Sequence, residues 1–158
     1  MSGILIIKRT RAVPVDVKLL RQIAKSLLDE LLDLRSFELG VHLVRAPEMA
    51  HINEAFLNHK GPTDVITFDY AETPGQATSL HGELFLCYDI ARTQAREFRT
   101  TWPEELVRYV VHGVLHLQGF DDHAPADRRK MKRAENRLLR ALVRRFPISK
   151  LAQARRPA

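Results

Sequence analysis

Between Thr101 and His123 the sequence specifies a helix, its first turn, its end and the bend after it, and so fixes where two histidines must stand. Thr101-Trp102-Pro103-Glu104 fits a capping box, with Glu104 at the third helical position. The helix it opens runs through His116. His112 and His116 lie four apart, so their imidazoles sit one above the other on one face, close enough to hold one metal ion. Gly119 follows three residues later and lets the chain leave the helix through a left-handed conformation. The chain can then double back and present Asp122 or His123 to the same ion. Two ligands from a rigid helix and a third from the following turn leave a zinc ion one open position for water. Water held there has its pKa lowered to about 7, giving a nucleophile for a phosphodiester or an amide. In zinc peptidase helices of the H-E-x-x-H type the second position carries the general base. Here it is Gly113, which argues against proteolysis. Glu105 lies two turns before His112 on the same face; the alternatives are a group that orients a ligand or the water, and, favoured here, a surface residue suited to the positive end of the helix.

The rest of the chain supplies a sheet for this helix to pack on. Residues 3–8 are a short apolar run and predict a strand. Residues 16–34 repeat Val17, Leu20, Ile23, Ala24, Leu27, Leu28 and Leu31 at spacings of three and four, which predicts a helix capped by Asp16. Leu39, Val41 and Leu43 alternate and predict a strand over 37–45 with one face on a core. A shorter helix follows over 47–56, then a turn-rich loop over 58–63 containing Gly61-Pro62. Val65, Ile66, Thr67 and Phe68 predict a strand, 72–79 an exposed loop, and 83–88 another strand, after which Asp89 caps a helix to about 99. A last helix over 125–145 buries Met131, Ala134, Leu138 and Ala141 or Leu142. Strands and helices mix without strict alternation. The expectation is an α+β fold: a single domain over 1–150 with a small mixed β-sheet packed with helices, and a disordered basic tail over 151–158.

Two features bound the setting. No apolar run approaches the ~20 residues of a membrane span, and Ile4 to Ile7 are too few for a signal-peptide core. The single Cys87 excludes an intramolecular disulfide and reads as a small buried strand residue, so the expected location is the cytoplasm, with no membrane partner. Charge is also unevenly spread. Residues 126–158 hold twelve Lys and Arg against Asp127 and Glu135, a net of +10, while 1–125 carry −4. That asymmetry suits a polyanionic partner, nucleic acid first. The aromatic residues near these segments, Phe56, Phe68, Tyr70, Trp102 and Phe120, read mostly as core.

The run His112-Gly113-Val114-Leu115-His116-Leu117-Gln118-Gly119-Phe120-Asp121 resembles the signature of the YbeY family of bacterial endoribonucleases. Asn53 with Phe56, then Pro62-Thr63-Asp64-Val65-Ile66-Thr67-Phe68, is similar to that family's segment before its central strand. Gly82-Glu83-Leu84-Phe85-Leu86 and Asp89-Ile90-Ala91 with Gln94-Ala95 are similar to the strand and helix that follow, so the resemblance covers about 38–145. It implies an α+β fold with the metal helix in a groove. It implies an endoribonuclease that uses one zinc ion, acts on single strands and serves ribosomal RNA maturation and ribosome quality control. It also implies contact with the small ribosomal subunit and with an Era-like GTPase. No catalytic side chain beyond the metal ligands is assigned.

This sequence departs from the family at two places. Family members have a histidine six residues after the second ligand, where this chain has Asp122, followed by His123. Ungapped, Asp122 takes the ligand position and Met131 falls in register; an inserted residue would give the role to His123 instead. Carboxylate oxygen is an acceptable zinc ligand. The family also has an arginine directly after the aromatic at Phe56, where this chain has Leu57; His59 and Lys60 are the nearby candidates for RNA contact. A metallohydrolase of another class and a non-enzymatic ribosome-assembly factor with a structural metal stand as the alternatives.

Overall fold

The alternating strands form one four-stranded sheet. In the computed structural model, which describes residues 2–8, 13–73 and 78–152, β1 (Gly3–Lys8), β2 (Ser36–Val44), β3 (Val65–Asp69) and β4 (Ser79–Cys87) lie in the order β1-β2-β4-β3. β1 runs parallel to β2 and β2 to β4, while β3 is antiparallel to β4, so the sheet is mixed. β4 begins four residues before the expected 83, because Ser79 to Gly82 pair with Ser36 to Leu39 of β2. Register puts Phe37, Leu39, Val41 and Leu43 on the same face as Leu80, Leu84 and Leu86, and all seven are buried in the main core. Val44, Ile66 and Cys87 point the other way, into a smaller cluster with Met49 and Ile52. The fold is α+β, as expected.

Helices α1 (Val17–Lys25), α2 (Ala46–Leu57), α3 (Tyr88–Phe98), α4 (Trp102–Leu117) and α5 (Pro125–Arg145) complete the molecule. Their starts follow local chemistry where a cap was expected at Asp16 and Thr101: Asp16 Oδ1 accepts from the Leu19 N–H at 3.1 Å, and Thr101 Oγ1 from the Glu104 N–H at 3.3 Å. Asp89 does not cap α3, whose N-cap is Cys87. Its carboxylate instead accepts from the Ala46 N–H at 2.6 Å and from Arg45 Nε at 2.9 Å, so it serves the first turn of α2. The helix expected over 16–34 is α-helical only to Lys25. Ser26–Leu31 widen into π-helical turns, and the N–H groups of Leu32 and Leu34 reach back to Leu27 and Leu28. Ile148–Ala152 form a short 3-10 helix that buries Ile148 and Leu151. Residues 151 and 152 of the expected tail belong to it, and 153–158 lie outside the described residues.

α4 lies flat on the sheet, and Gly113 permits the approach. A Cβ there would sit 2.6 Å from Leu84 Cδ2 of β4, inside van der Waals contact. Position 113 therefore faces the sheet, while His112 and His116 turn away from it toward α5 and the bend after Leu117. Among the described residues no helix is long and apolar enough to cross a membrane.

Candidate metal centre

The two histidines meet as their spacing requires. Their ring centroids are 4.7 Å apart and the two Nε2 atoms 3.1 Å apart. α4 ends at Leu117, and Gly119 adopts φ 97°, the left-handed exit expected of it. The chain then folds back and brings Asp122 Oδ2 to 3.4 Å from His116 Nε2 and 3.8 Å from His112 Nε2. His123 takes another direction. Its side chain is 91% exposed, and its Nε2 lies 3.6 Å from Asp121. Of the two candidates after the glycine, the fold brings Asp122 to the histidine pair. Among the described residues Asp121, Asp122 and His123 also converge, but that group is at the surface and shares its middle member.

The other ring nitrogens are held from behind. His116 Nδ1 lies 3.1 Å from the Phe120 carbonyl, which only accepts, so Nδ1 carries the proton and donates. His112 Nδ1 lies 3.0 Å from Glu135 Oε1 of α5. Burial works against ionising Glu135, but hydrogen bonds from His112 and Lys132 and their charges bring its pKa down to about 2, so it too is an acceptor. Arg108 Nη1 adds a bond to Glu135 at 3.0 Å. Burial alone would keep His112 neutral; the bond and charge of Glu135, with Asp64 and Asp122, outweigh it and hold its pKa above the ordinary histidine value.

This network fixes what the centre can bind. With both Nδ1 atoms protonated, each ring in its neutral form turns an Nε2 lone pair toward the other and toward a carboxylate, and the raised pKa of His112 means that a proton competes with a metal ion for this place. The three donors converge closely enough that a cation among them, a proton or a metal ion, offsets their mutual repulsion. Ligands about 2.0–2.2 Å from a tetrahedral zinc stand roughly 3.3–3.6 Å apart; the three observed separations, 3.1, 3.4 and 3.8 Å, straddle that range. The residues present fit a divalent metal ion held by two nitrogens and one carboxylate.

Beside the pair lies a cavity of about 640 Å³, lined among others by His112, Asp122, Asp64, Glu105, Arg108, Arg128, Arg129 and Glu135. Glu105 differs from expectation. It sits in the first turn of α4 but is only 3% exposed, because Thr100 Oγ1 donates to its Oε1 at 2.7 Å and the cavity wall closes over it. Of the aromatic residues read mostly as core, Phe68, Trp102 and Phe120 pack partly buried against the hydrophobic clusters, while Phe56 and Tyr70 are 69% and 49% exposed. His59 and Lys60 are exposed on the loop after α2 and do not line the cavity. Sequence reasoning missed Glu135. The signal was an acid inside the apolar stripe of α5, four residues after Met131 and three before Leu138.

The chain matches the family described as Endoribonuclease YbeY over residues 6–143. It is similar to Endoribonuclease YbeY of Chlorobium luteolum, 43% identical over 93 residues, 59% of this chain and 65% of the relative. A second, from Parabacteroides distasonis, is 41% identical over 95 residues, 60% of this chain and 64% of the relative. These alignments span a little under two thirds of those curated relatives. The solution structure of TM1509 from Thermotoga maritima superposes with a TM-score of 0.67 at 27% identity, covering 98% of this chain and 100% of the other.

Proposed function

Since the chain belongs to the Endoribonuclease YbeY family, we propose that it is a metal-dependent endoribonuclease that cleaves single-stranded RNA. The observation that carries this reading is the convergence of His112 Nε2, His116 Nε2 and Asp122 Oδ2 beside an open cavity. These three residues would hold the ion, one zinc on this reading. When bound, it supplies Lewis acidity, acidifying water and countering negative charge on a phosphoryl oxygen. The chain's own groups do the rest. Glu135 and the Phe120 carbonyl hold the Nδ1 protons and so keep both Nε2 lone pairs directed at one point. Asp122 gives the site one more negative charge than a third imidazole would, which softens the Lewis acid. Cations on α5 hold the RNA backbone, supplying affinity without sequence information.

Further parts of the reading rest on the resemblance and on charge. The substrate is ribosomal RNA of the small subunit, the role is its maturation and quality control, and the setting is the cytoplasm, with an Era-like GTPase as a partner. His59 and Lys60 contact RNA at the mouth of the loop where family members carry an arginine and this chain has Leu57. That substitution favours a second reading: an assembly factor that holds its metal and binds pre-ribosomes without cutting. A peptidase is disfavoured because a glutamate at position 113 would run into Leu84.

Purified protein incubated with single-stranded rRNA fragments tests the proposal. Cleavage is expected in the presence of zinc, and it should disappear with EDTA and in His116→Ala. Cleavage indifferent to both treatments overturns it. Binding to pre-ribosomes that survives His112→Ala, with no cleavage by the parent protein, favours the assembly factor.

A further inference from the structure

The cavity beside the histidines contains a group that metal binding does not explain. Glu105 is 3% exposed, yet among the described residues no cation pairs with it, and Arg108 on its helix is committed to Glu135 and Asn136. Its Oε1 takes the Thr100 hydroxyl, and its other oxygen has no hydrogen-bond partner among the described residues. That oxygen is not fully enclosed but opens on the cavity, so a donor entering the cavity can reach it. A ligand with N–H donors would satisfy it. Around it the cavity offers two further kinds of contact. Phe98 ends α3 with its ring 59% exposed, a free stacking face. Arg128 and Arg129 in the first turns of α5 are exposed and have no carboxylate partner among the described residues. The volume, about 640 Å³, lies within the range of small-ligand sites.

We propose that this cavity is a pocket for one extruded RNA base bearing an exocyclic amino group, which donates to Glu105 while the ring stacks on Phe98 and a flanking phosphate rests on Arg128 and Arg129. The proposal rests on the nuclease reading and adds a substrate preference to it. A carboxylate accepts readily from the N4 amino group of cytosine. Uracil has a carbonyl oxygen at that place and would set it against the carboxylate. A base held in a duplex cannot enter, so the pocket also gives a physical reason for single-strand selectivity.

The test uses full-length protein stripped of metal with EDTA, so that RNA is bound without being cut, and fluorescein-labelled oligocytidine and oligouridine read by anisotropy. The parent protein should bind the cytidine oligomer about tenfold more tightly, and Glu105→Gln, whose amide offers donor and acceptor alike, should bring the ratio close to one. Phe98→Ala, a change at an exposed helix end that leaves the core intact, should weaken both oligomers several-fold and preserve the ratio. Equal binding of the two by the parent protein, or a preference that persists in Glu105→Gln, overturns the pocket. Cleavage of the same oligomers with zinc restored is scored separately. Cutting without base preference removes the pocket and leaves the nuclease; base preference without cutting removes the nuclease reading and leaves the pocket.

Discussion

Asp122 stands where it would decide the character of a metal centre. The residue after it, His123, is the more familiar zinc ligand, and only the geometry of the turn separates them: Asp122 comes within 3.8 Å of both histidines, while His123 stands out in solvent. Asp122→Ala should weaken zinc binding more than the 10–100-fold typical of residues that merely support a ligand, whereas His123→Ala should change it by less than about twofold. Competition with a chromophoric chelator measures both, and the opposite order would transfer the third ligand to His123. At this scale the sequence was informative where chemistry is local. The spacing of His112 and His116, and the bend at Gly119, could be read directly. Glu135 and Asp64 could not, because they reach His112 only through the packing of distant segments, 23 residues away in the case of Glu135. Glu105 was placed on the correct helix face, but its burial depends on the cavity wall, which local sequence does not show.

At the scale of elements, helix periodicity located α4 and α5 closely, since each has a full apolar stripe and an identifiable start. What it could not anticipate were bonds between elements, and Asp89 is the example. Hydrogen bonds from Arg45, then the Ala46 N–H and the Arg45 charge, hold its pKa below the usual carboxylate range, outweighing burial. A folded pKa below the unfolded value of about 3.9 means stability that is present above that pH and lost as pH falls through the folded value. Asp89→Ala should therefore be less stable than the parent by about 1 kcal/mol at pH 7, the usual value of a helix cap, with the gap closing below about pH 4. Urea unfolding at pH 7, 5 and 3 reads this; a gap independent of pH would contradict it. The contact between α4 and β4 gives a second expectation. Gly113→Ala gains about 1 kcal/mol of helix propensity but overpacks Leu84 by about 1–3 kcal/mol. It should thus destabilise the parent and stabilise the Leu84→Ala background. Additive effects in the double-mutant cycle would mean that α4 does not press on the sheet at this point.

For the molecule as a whole, the charge asymmetry becomes spatial. α5 carries most of the basic excess of residues 126–158, and its N-terminal arginines border the cavity next to the histidines. If RNA lies there, affinity should fall linearly with salt on logarithmic axes, with a slope of about −0.7 per phosphate contact for a single strand. Replacing Arg128 and Arg129 together with alanine should make that slope shallower by about 1.4. An unchanged slope would put the RNA elsewhere on the surface. The fold itself was legible at this scale as a mixed sheet with helices, because alternation and periodicity are properties of whole segments. Strand order was not legible, since β4 inserts between β2 and β3 through pairings that no short stretch encodes. The proposed activity depends on a cation among three side chains. Diffraction from crystals grown with zinc, recorded on both sides of the zinc absorption edge, tests it most directly. A single anomalous peak within bonding distance of His112 Nε2, His116 Nε2 and an Asp122 oxygen is the predicted result; a peak at Asp121 and His123, or none at the histidine pair, would contradict it.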